Sequence, residues 1–208
     1  LFKISLIKTL KCNYIISLQQ YNYKDNKKMN IKKIILIFGV LIFGLALITT
    51  SCKRKNIYEE NTFSSNGYIN AVIEIPAGTN VKYEYDTETH KFVPDKINGK
   101  TRIINYLPYP VNYGFIPSTL MDYKKGGDGD PLDILIICPA LSTGTIIETI
   151  PIAMMTLTDA GEIDNKIIAI PADEKSQTLT AENLAQMDTL YIGIKNIIET
   201  WFLNYKGK

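Results

Sequence analysis

Asp128-Gly129-Asp130-Pro131-Leu132-Asp133 runs directly into the apolar stretch Ile134-Leu135-Ile136-Ile137. Three carboxylates within six residues repel one another unless a cation lies among them. A hard, oxygen-seeking divalent ion such as Mg²⁺ removes that repulsion. The β-branched run after the loop reads as a strand that fixes one end of it. Gly129 lets the backbone turn, and Pro131 stiffens the turn. A plain polar turn ahead of a strand is the alternative; it gives no reason for the third carboxylate.

Two other metal loops fail on spacing. A calcium EF-hand needs Asp or Asn at loop position five, Gly at six and Glu at twelve. Counted from Asp128, those positions hold Leu132, Asp133 and Pro139. A phosphatase Asp-x-Asp-x-Thr loop follows its strand, whereas here the strand follows the loop.

Further segments surround this loop in order: Ala71-Val-Ile-Glu-Ile-Pro-Ala77, Lys82-Tyr-Glu84, Tyr109-Pro-Val-Asn-Tyr-Gly-Phe115, Thr158-Asp-Ala-Gly-Glu-Ile-Asp-Asn-Lys166 and Tyr205-Lys206. Glu74 interrupts an apolar run, and a buried, unpaired carboxylate is costly, so a metal or cationic partner is expected for it. Asp159 and Asp164 sit at the two ends of a predicted hairpin loop. With Asp-x-Asp-Pro-x-Asp-hydrophobic at residues 128–134, the set resembles a soluble family I inorganic pyrophosphatase, from about Tyr68 to the end of the chain.

Pyrophosphate hydrolysis is phosphoryl transfer to water. It needs metal ions to neutralise charge, cationic side chains to clamp the phosphates and an activated water. The resemblance implies a role for each matched residue. Asp128, Asp133 and Asp164 bind an activating pair of Mg²⁺ ions, and Asp159 a further, substrate-borne one. Glu74 and Glu84 hold metal-bound waters. Asp130 is the general base toward a water shared by two metals, whose pKa is strongly lowered. Lys82, Arg102, Lys166 and Lys206, with Tyr113 and Tyr205, form the phosphate clamp. Arg102 grips two oxygens at once, whereas each Lys acts as a point charge. Several Mg²⁺ ions are implied, with Mn²⁺ or Zn²⁺ as substitutes, and a homo-oligomer is expected.

Apolar and β-branched runs at Ile69–Ile75, Val81–Tyr85, Ile134–Cys138, Thr145–Met155 and Lys166–Ile170 predict strands punctuated by Gly and Pro. Their spacing suggests a small closed barrel. Leu190, Ile194, Ile197, Ile198 and Trp201 recur at helical spacing and predict one amphipathic helix from Thr189 to about Tyr205. The expected class is mainly β (α+β). The resemblance implies a five-stranded, OB-like closed barrel with flanking helices. Two departures from the family stand out. Residues 121–127 lengthen the approach to the acidic loop, and the chain ends at Lys208, where family members continue for another helix. The C-terminal helix is therefore expected to be truncated.

The 208 residues suit one domain plus an appendage. Ile34 to Ile48 is an unbroken apolar run behind Lys27, Lys28, Lys32 and Lys33. It is shorter than the ~20 residues of a membrane-spanning helix and matches the apolar part of a secretory signal. Thr49-Thr50-Ser51-Cys52 resembles a bacterial lipoprotein cleavage site with Cys52 as the lipidated residue; an uncleaved anchor helix is the alternative. The first Met is Met29. The expected division is 1–28 upstream sequence without a folded role, 29–51 signal peptide, 52–67 tether and 68–208 pyrophosphatase domain. A membrane-anchored lipoprotein on the periplasmic or cell-surface side follows, or a cytoplasmic protein if the leader is not used.

The formal charge of +2 comes from 23 basic and 21 acidic residues. Residues 1–51 hold eight Lys and one acid, which leaves the rest at −5 and gives no reason to expect a nucleic acid. Cys12, Cys52 and Cys138 form no disulfide framework, and Cys138 reads as a small buried hydrophobe. The single histidine, His90, excludes a histidine-built zinc site and weighs against a Ser-His-Asp triad. Two further readings stay open: a degenerate family member serving as a binding or structural lipoprotein, and a hydrolase of another small phosphoanhydride.

Overall fold

The computed structural model describes residues 56–159 and 161–207. The leader, the signal-like run, Cys12 and Cys52 lie outside the described residues. Among the described residues, nine strands and two α-helices follow in the order β1 (Ile69–Ile75), β2 (Tyr83–Asp86), β3 (Lys91–Pro94), β4 (Lys96–Ile97), β5 (Lys100–Thr101), β6 (Asn112–Phe115), β7 (Asp133–Ile136), β8 (Ile146–Asp159), β9 (Glu162–Pro171), α1 (Leu184–Leu190) and α2 (Ile194–Asn204). Five strands pair in the ring β1-β6-β7-β9-β8, which closes as a barrel. The chain is thus mainly β, as the apolar runs predict.

β7 and β9 pair in parallel and the other ring neighbours antiparallel. β7 is buried on both faces, which explains its unbroken apolar run. Ile134 and Ile136 pack with Ala71, Ile73 and Ala169, while Leu135 and Ile137 pack with Met187, Ile198, Trp201 and Phe202 of the helices. β8 bends at Pro151, where the register to β9 shifts; proline has no N–H for the ladder, and a bulge accommodates that.

Several elements depart from the predicted ones. The single helix expected from Thr189 to Tyr205 is two helices. Gly193 has φ +91° and breaks the pattern, so Leu190 ends α1 and is exposed, while Ile194, Ile198 and Trp201 of α2 meet the core. Asn183 caps α1 by accepting the Gln186 N–H. The segment 96–102 is a hairpin: Asn98 and Gly99 both have positive φ, the two-residue turn that an Asn-Gly pair favours. Val81 lies outside β2 and makes an isolated bridge to Ile103. Ordered packing also starts before Tyr68. Within the segment expected as tether, Ile57–Glu59 forms a short helical turn that packs against the domain, because Ile57 and Tyr58 meet the apolar cluster of Val72, Tyr85 and Phe115.

Two residues of the Tyr109–Phe115 segment bind the barrel together. The buried Asn112 side chain accepts the N–H groups of Ala77 and Leu141 and donates to the carbonyls of Ile136, Cys138 and Pro139. Half-buried Cys138 lies beside it, with Sγ 3.4 Å from Asn112 Nδ2, two residues past the strand it was expected to end. Gly114 sits where β6 crosses β1: a Cβ there would stand 1.8 Å from the Val72 carbonyl oxygen. No rotamer relieves a clash between Cβ and backbone. Gly114→Ala is therefore expected to force β1 and β6 apart and to cost on the order of 4 kcal/mol or more, read as a lowered urea midpoint. A midpoint equal to the wild type would contradict this account.

Candidate active site

Strand register assembles the acidic site. Parallel pairing sets Asp133 opposite Lys166, and Asp164 lies two residues along β9 on the same face. The Lys166 ammonium therefore bridges Asp133 Oδ2 and Asp164 Oδ1 at 2.6 Å each, with only 4% of its side chain exposed. Tyr113, diagonal to Asp133 across the β6–β7 pair, donates its hydroxyl to Asp133 Oδ2 at 2.5 Å. Burial pushes the Asp133 carboxyl up, against the lowering pull of Lys166. The same ion pairs hold the Lys166 ammonium above its usual range despite burial.

The loop before β7 is shaped by local bonds. Asp128 Oδ1 accepts the Asp130 N–H at 3.0 Å, and Gly129 turns with φ +84° beneath the Tyr123 ring. The lengthened approach explains itself here. Met121 N–H donates to Asp130 O and Gly129 N–H to Met121 O, both at 2.8 Å, while Ile163 N–H donates to Gly126 O at 2.7 Å. The added residues thus tie the Asp128–Asp133 loop to the β8–β9 hairpin that carries Asp159 and Asp164.

Two adjoining cavities hold every predicted site residue except Cys52, which lies outside the described residues. The first, of about 160 Å³, is lined by Lys82, Arg102, Tyr113, Asp128, Asp130, Asp133, Asp159, Asp164, Lys166, Tyr205 and Lys206. The second, of about 180 Å³, shares Lys82, Tyr113, Asp130 and Asp133 and adds Glu74 and Glu84. Both are below the roughly 300–1,000 Å³ of a drug-sized pocket, so a small substrate is indicated. Arg102 is held by Asp95 at 3.1 Å, and Lys82 pairs with Glu84 at 2.6 Å. Lys206 pairs with Asp159, and that hydrogen bond pulls the Asp159 carboxyl down. Tyr205 reaches the cavity from the end of α2, stacked on Trp201 at 4.5 Å and 7°.

Glu74 is 7% exposed and accepts the Tyr85 N–H at 3.0 Å. Burial, then the nearby Asp133 charge, push its pKa up to about 8. Burial and the neighbouring Asp128 push Asp130 up as well. Sequence reasoning missed Tyr109, Glu162 and Tyr58 among the residues that line the cavities. Tyr109 and Glu162 lie inside quoted segments, where their types are unremarkable. Tyr58 of the second cavity precedes the matched region and carries no sequence signal.

The donor set suits Mg²⁺. All the acids are hard oxygen donors, and six carboxylates face four cations in the first cavity. Among the described residues no three of them form a ready metal cage, because Lys166 lies between Asp133 and Asp164. A divalent ion would compete with that ammonium for the same oxygens.

The inorganic pyrophosphatase family matches residues 71–208, well over half of the chain. The chain belongs to the inorganic pyrophosphatase family. The inorganic pyrophosphatase of Saccharolobus solfataricus is 39% identical over 139 residues, which cover 66% of this chain and 74% of that one. Inorganic pyrophosphatase 2 of Pseudomonas syringae is 38% identical over 138 residues, 65% of this chain and 70% of that one. Among solved structures, the type I inorganic pyrophosphatase from P. falciparum superposes with a TM-score of 0.66 at 29% identity, covering 73% of this chain and 53% of that one. The inorganic pyrophosphatase from Thermus thermophilus gives 0.61 at 28% identity, covering 73% and 80%. The five-strand ring and two helices agree with the OB-like pyrophosphatase fold.

The raised Glu74 pKa has a stability consequence in chelated, metal-free buffer. The folded state holds its proton more tightly than the unfolded chain does. This contribution is fully present below about pH 4.5 and is lost as pH rises toward about 8. Glu74→Gln, neutral at every pH, is expected to flatten that decline in the thermal midpoint. Parallel pH curves for the two proteins would rule out Glu74 as its source.

Proposed function

We propose that this inorganic pyrophosphatase works with Mg²⁺ held by its cavity carboxylates and with Asp130 as general base. The observation that carries this reading is the convergence of six carboxylates and four cations on one small cavity. That lining has a formal negative excess and would repel a polyanion unless metal cations joined it. Asp128, Asp133, Asp159 and Asp164 would hold the ions, with Glu74 and Glu84 behind them. Bound there, Mg²⁺ supplies charge neutralisation and a lower pKa for the attacking water. Mn²⁺ and Zn²⁺ are proposed substitutes.

The chain's own groups do the rest. Asp130, which lines both cavities, accepts the proton of the attacking water. Arg102, aimed by Asp95, grips phosphate oxygens in a fork, while Lys82, Lys166 and Lys206 add point charges. Tyr113 is held neutral by burial and the Asp133 charge, so it remains a hydrogen-bond donor. Tyr205 presents its hydroxyl from a ring fixed on Trp201.

Cys52 is proposed as the lipid-bearing residue, which would anchor the domain to a membrane on the periplasmic or cell-surface side. No described helix is long and apolar enough to cross a membrane. The apolar groove of exposed Tyr106, Leu107 and Ile197, which buried Trp201 also lines, supports a homo-oligomer.

The purified protein is expected to release phosphate from pyrophosphate only with a divalent metal. Asp130→Asn should keep the fold, seen by circular dichroism, and lose about 10²-fold or more in kcat. Full activity in excess chelator, or a wild-type rate in that variant, removes the mechanism.

Expression from Met29 in a bacterium that processes lipoproteins should place the protein in the membrane fraction, with lipid on Cys52 by mass spectrometry. Cys52→Ser should abolish the modification. Unprocessed wild-type protein recovered from the cytosol would exclude the anchor.

A further inference from the structure

The chain ahead of β1 is wrapped against the active site rather than leading away from it. Asn56 caps the turn Ile57–Glu59, and Ile57 N–H donates to the Tyr85 hydroxyl at 3.2 Å. The Tyr58 ring meets Phe115 edge-on at 4.6 Å and Tyr85 at 5.1 Å. Its carbonyl accepts the Ser118 N–H at 2.8 Å, and the Glu60 carbonyl accepts Ser118 Oγ at 2.8 Å. Thr62 Oγ1 donates to Pro117 O at 2.9 Å.

The residues gripped in this way hold the acidic loop. Ile116 N–H donates to Leu132 O, and Leu132 N–H donates to Thr119 Oγ1, both at 2.9 Å. Between them Ser118 has φ +54°, a left-handed backbone that a residue with a Cβ rarely adopts. The bonds from residues 58 and 60 converge on that residue. Tyr58 also lines the second cavity beside Glu74, Asp130 and Asp133.

We infer that residues 56–64 are a working part of the active site, and that Tyr58 is a positioning residue for Asp130 and Asp133. The inference rests on the proposed function, and the family match, which begins at residue 71, assigns nothing to this arm. The path is physical: arm to the turn at Ile116–Thr119, turn to Leu132, and Leu132 to the two carboxylates beside it. The hydroxyl of Tyr58 makes no hydrogen bond among the described residues, so its ring carries the role.

The test uses the full chain. Tyr58→Ala should speed amide hydrogen exchange at Leu132 while the β8–β9 ladder stays protected. It should lower kcat on the order of tenfold or more with KM nearly unchanged, as expected when catalytic groups lose alignment. Tyr58→Phe should match the wild type in both respects. Wild-type exchange at Leu132 in Tyr58→Ala, or a change in KM alone, overturns the inference. If Tyr58→Ala unfolds the barrel, Thr62→Val decides: faster exchange at Leu132 supports the arm's role, and unchanged exchange ends it. Exchange is read without substrate. A protein that releases no phosphate from pyrophosphate would therefore defeat the proposed function and leave the arm to be judged by exchange.

Discussion

Lys166 holds the site together. It is a nearly fully buried ammonium, and burial of an unpaired charge costs several kcal/mol, so its two carboxylates are a structural necessity as well as chemistry. Those carboxylates come from β7 and β9, which meet only because the barrel closes with one parallel pair. The pairing that makes the core therefore also makes the site. Breaking the bridge by removing one acid leaves Lys166 half-compensated, and the same bridge competes with any metal for Asp133 and Asp164.

The remaining charges follow from this arrangement. Acids outnumber cations around the cavity, and burial raises the pKa of Glu74, Asp130 and Asp133. Under the proposed function, a divalent ion would relieve the repulsion of that surface. The arrangement stays poised because separate elements hold it. The Gly126–Ile163 bond couples the two acidic loops, Asp95 aims Arg102, and the Trp201 stack aims Tyr205. Under the proposed function, activity would therefore depend on packing well beyond the carboxylates.

Much of this was legible in the chain alone. The acidic loop, the Asp159–Asp164 hairpin, the clamp cations and the main apolar strands all stand at recognisable spacings. Carboxylates at fixed offsets before a strand constrain chemistry locally, whatever the remainder of the fold does. The Asn98-Gly99 turn is a sequence signal as well, but its strands, Lys96–Ile97 and Lys100–Thr101, are too short to show an alternating pattern.

What the sequence by itself determined was the inventory: which residues carry charge, which runs become strands, and which family the chain resembles. Only the tertiary structure decided who meets whom. It set the buried Lys166 ammonium between two acids, Asp133 and Asp164. It gave Glu74 the Tyr85 N–H as a partner, split the expected helix at Gly193, and brought Tyr58 to the cavity from outside the matched region. The reason is range. Propensity and periodicity act over a few residues along the chain. Ion pairing, burial and strand register act between residues tens of positions apart, and their outcome exists only once the barrel has closed.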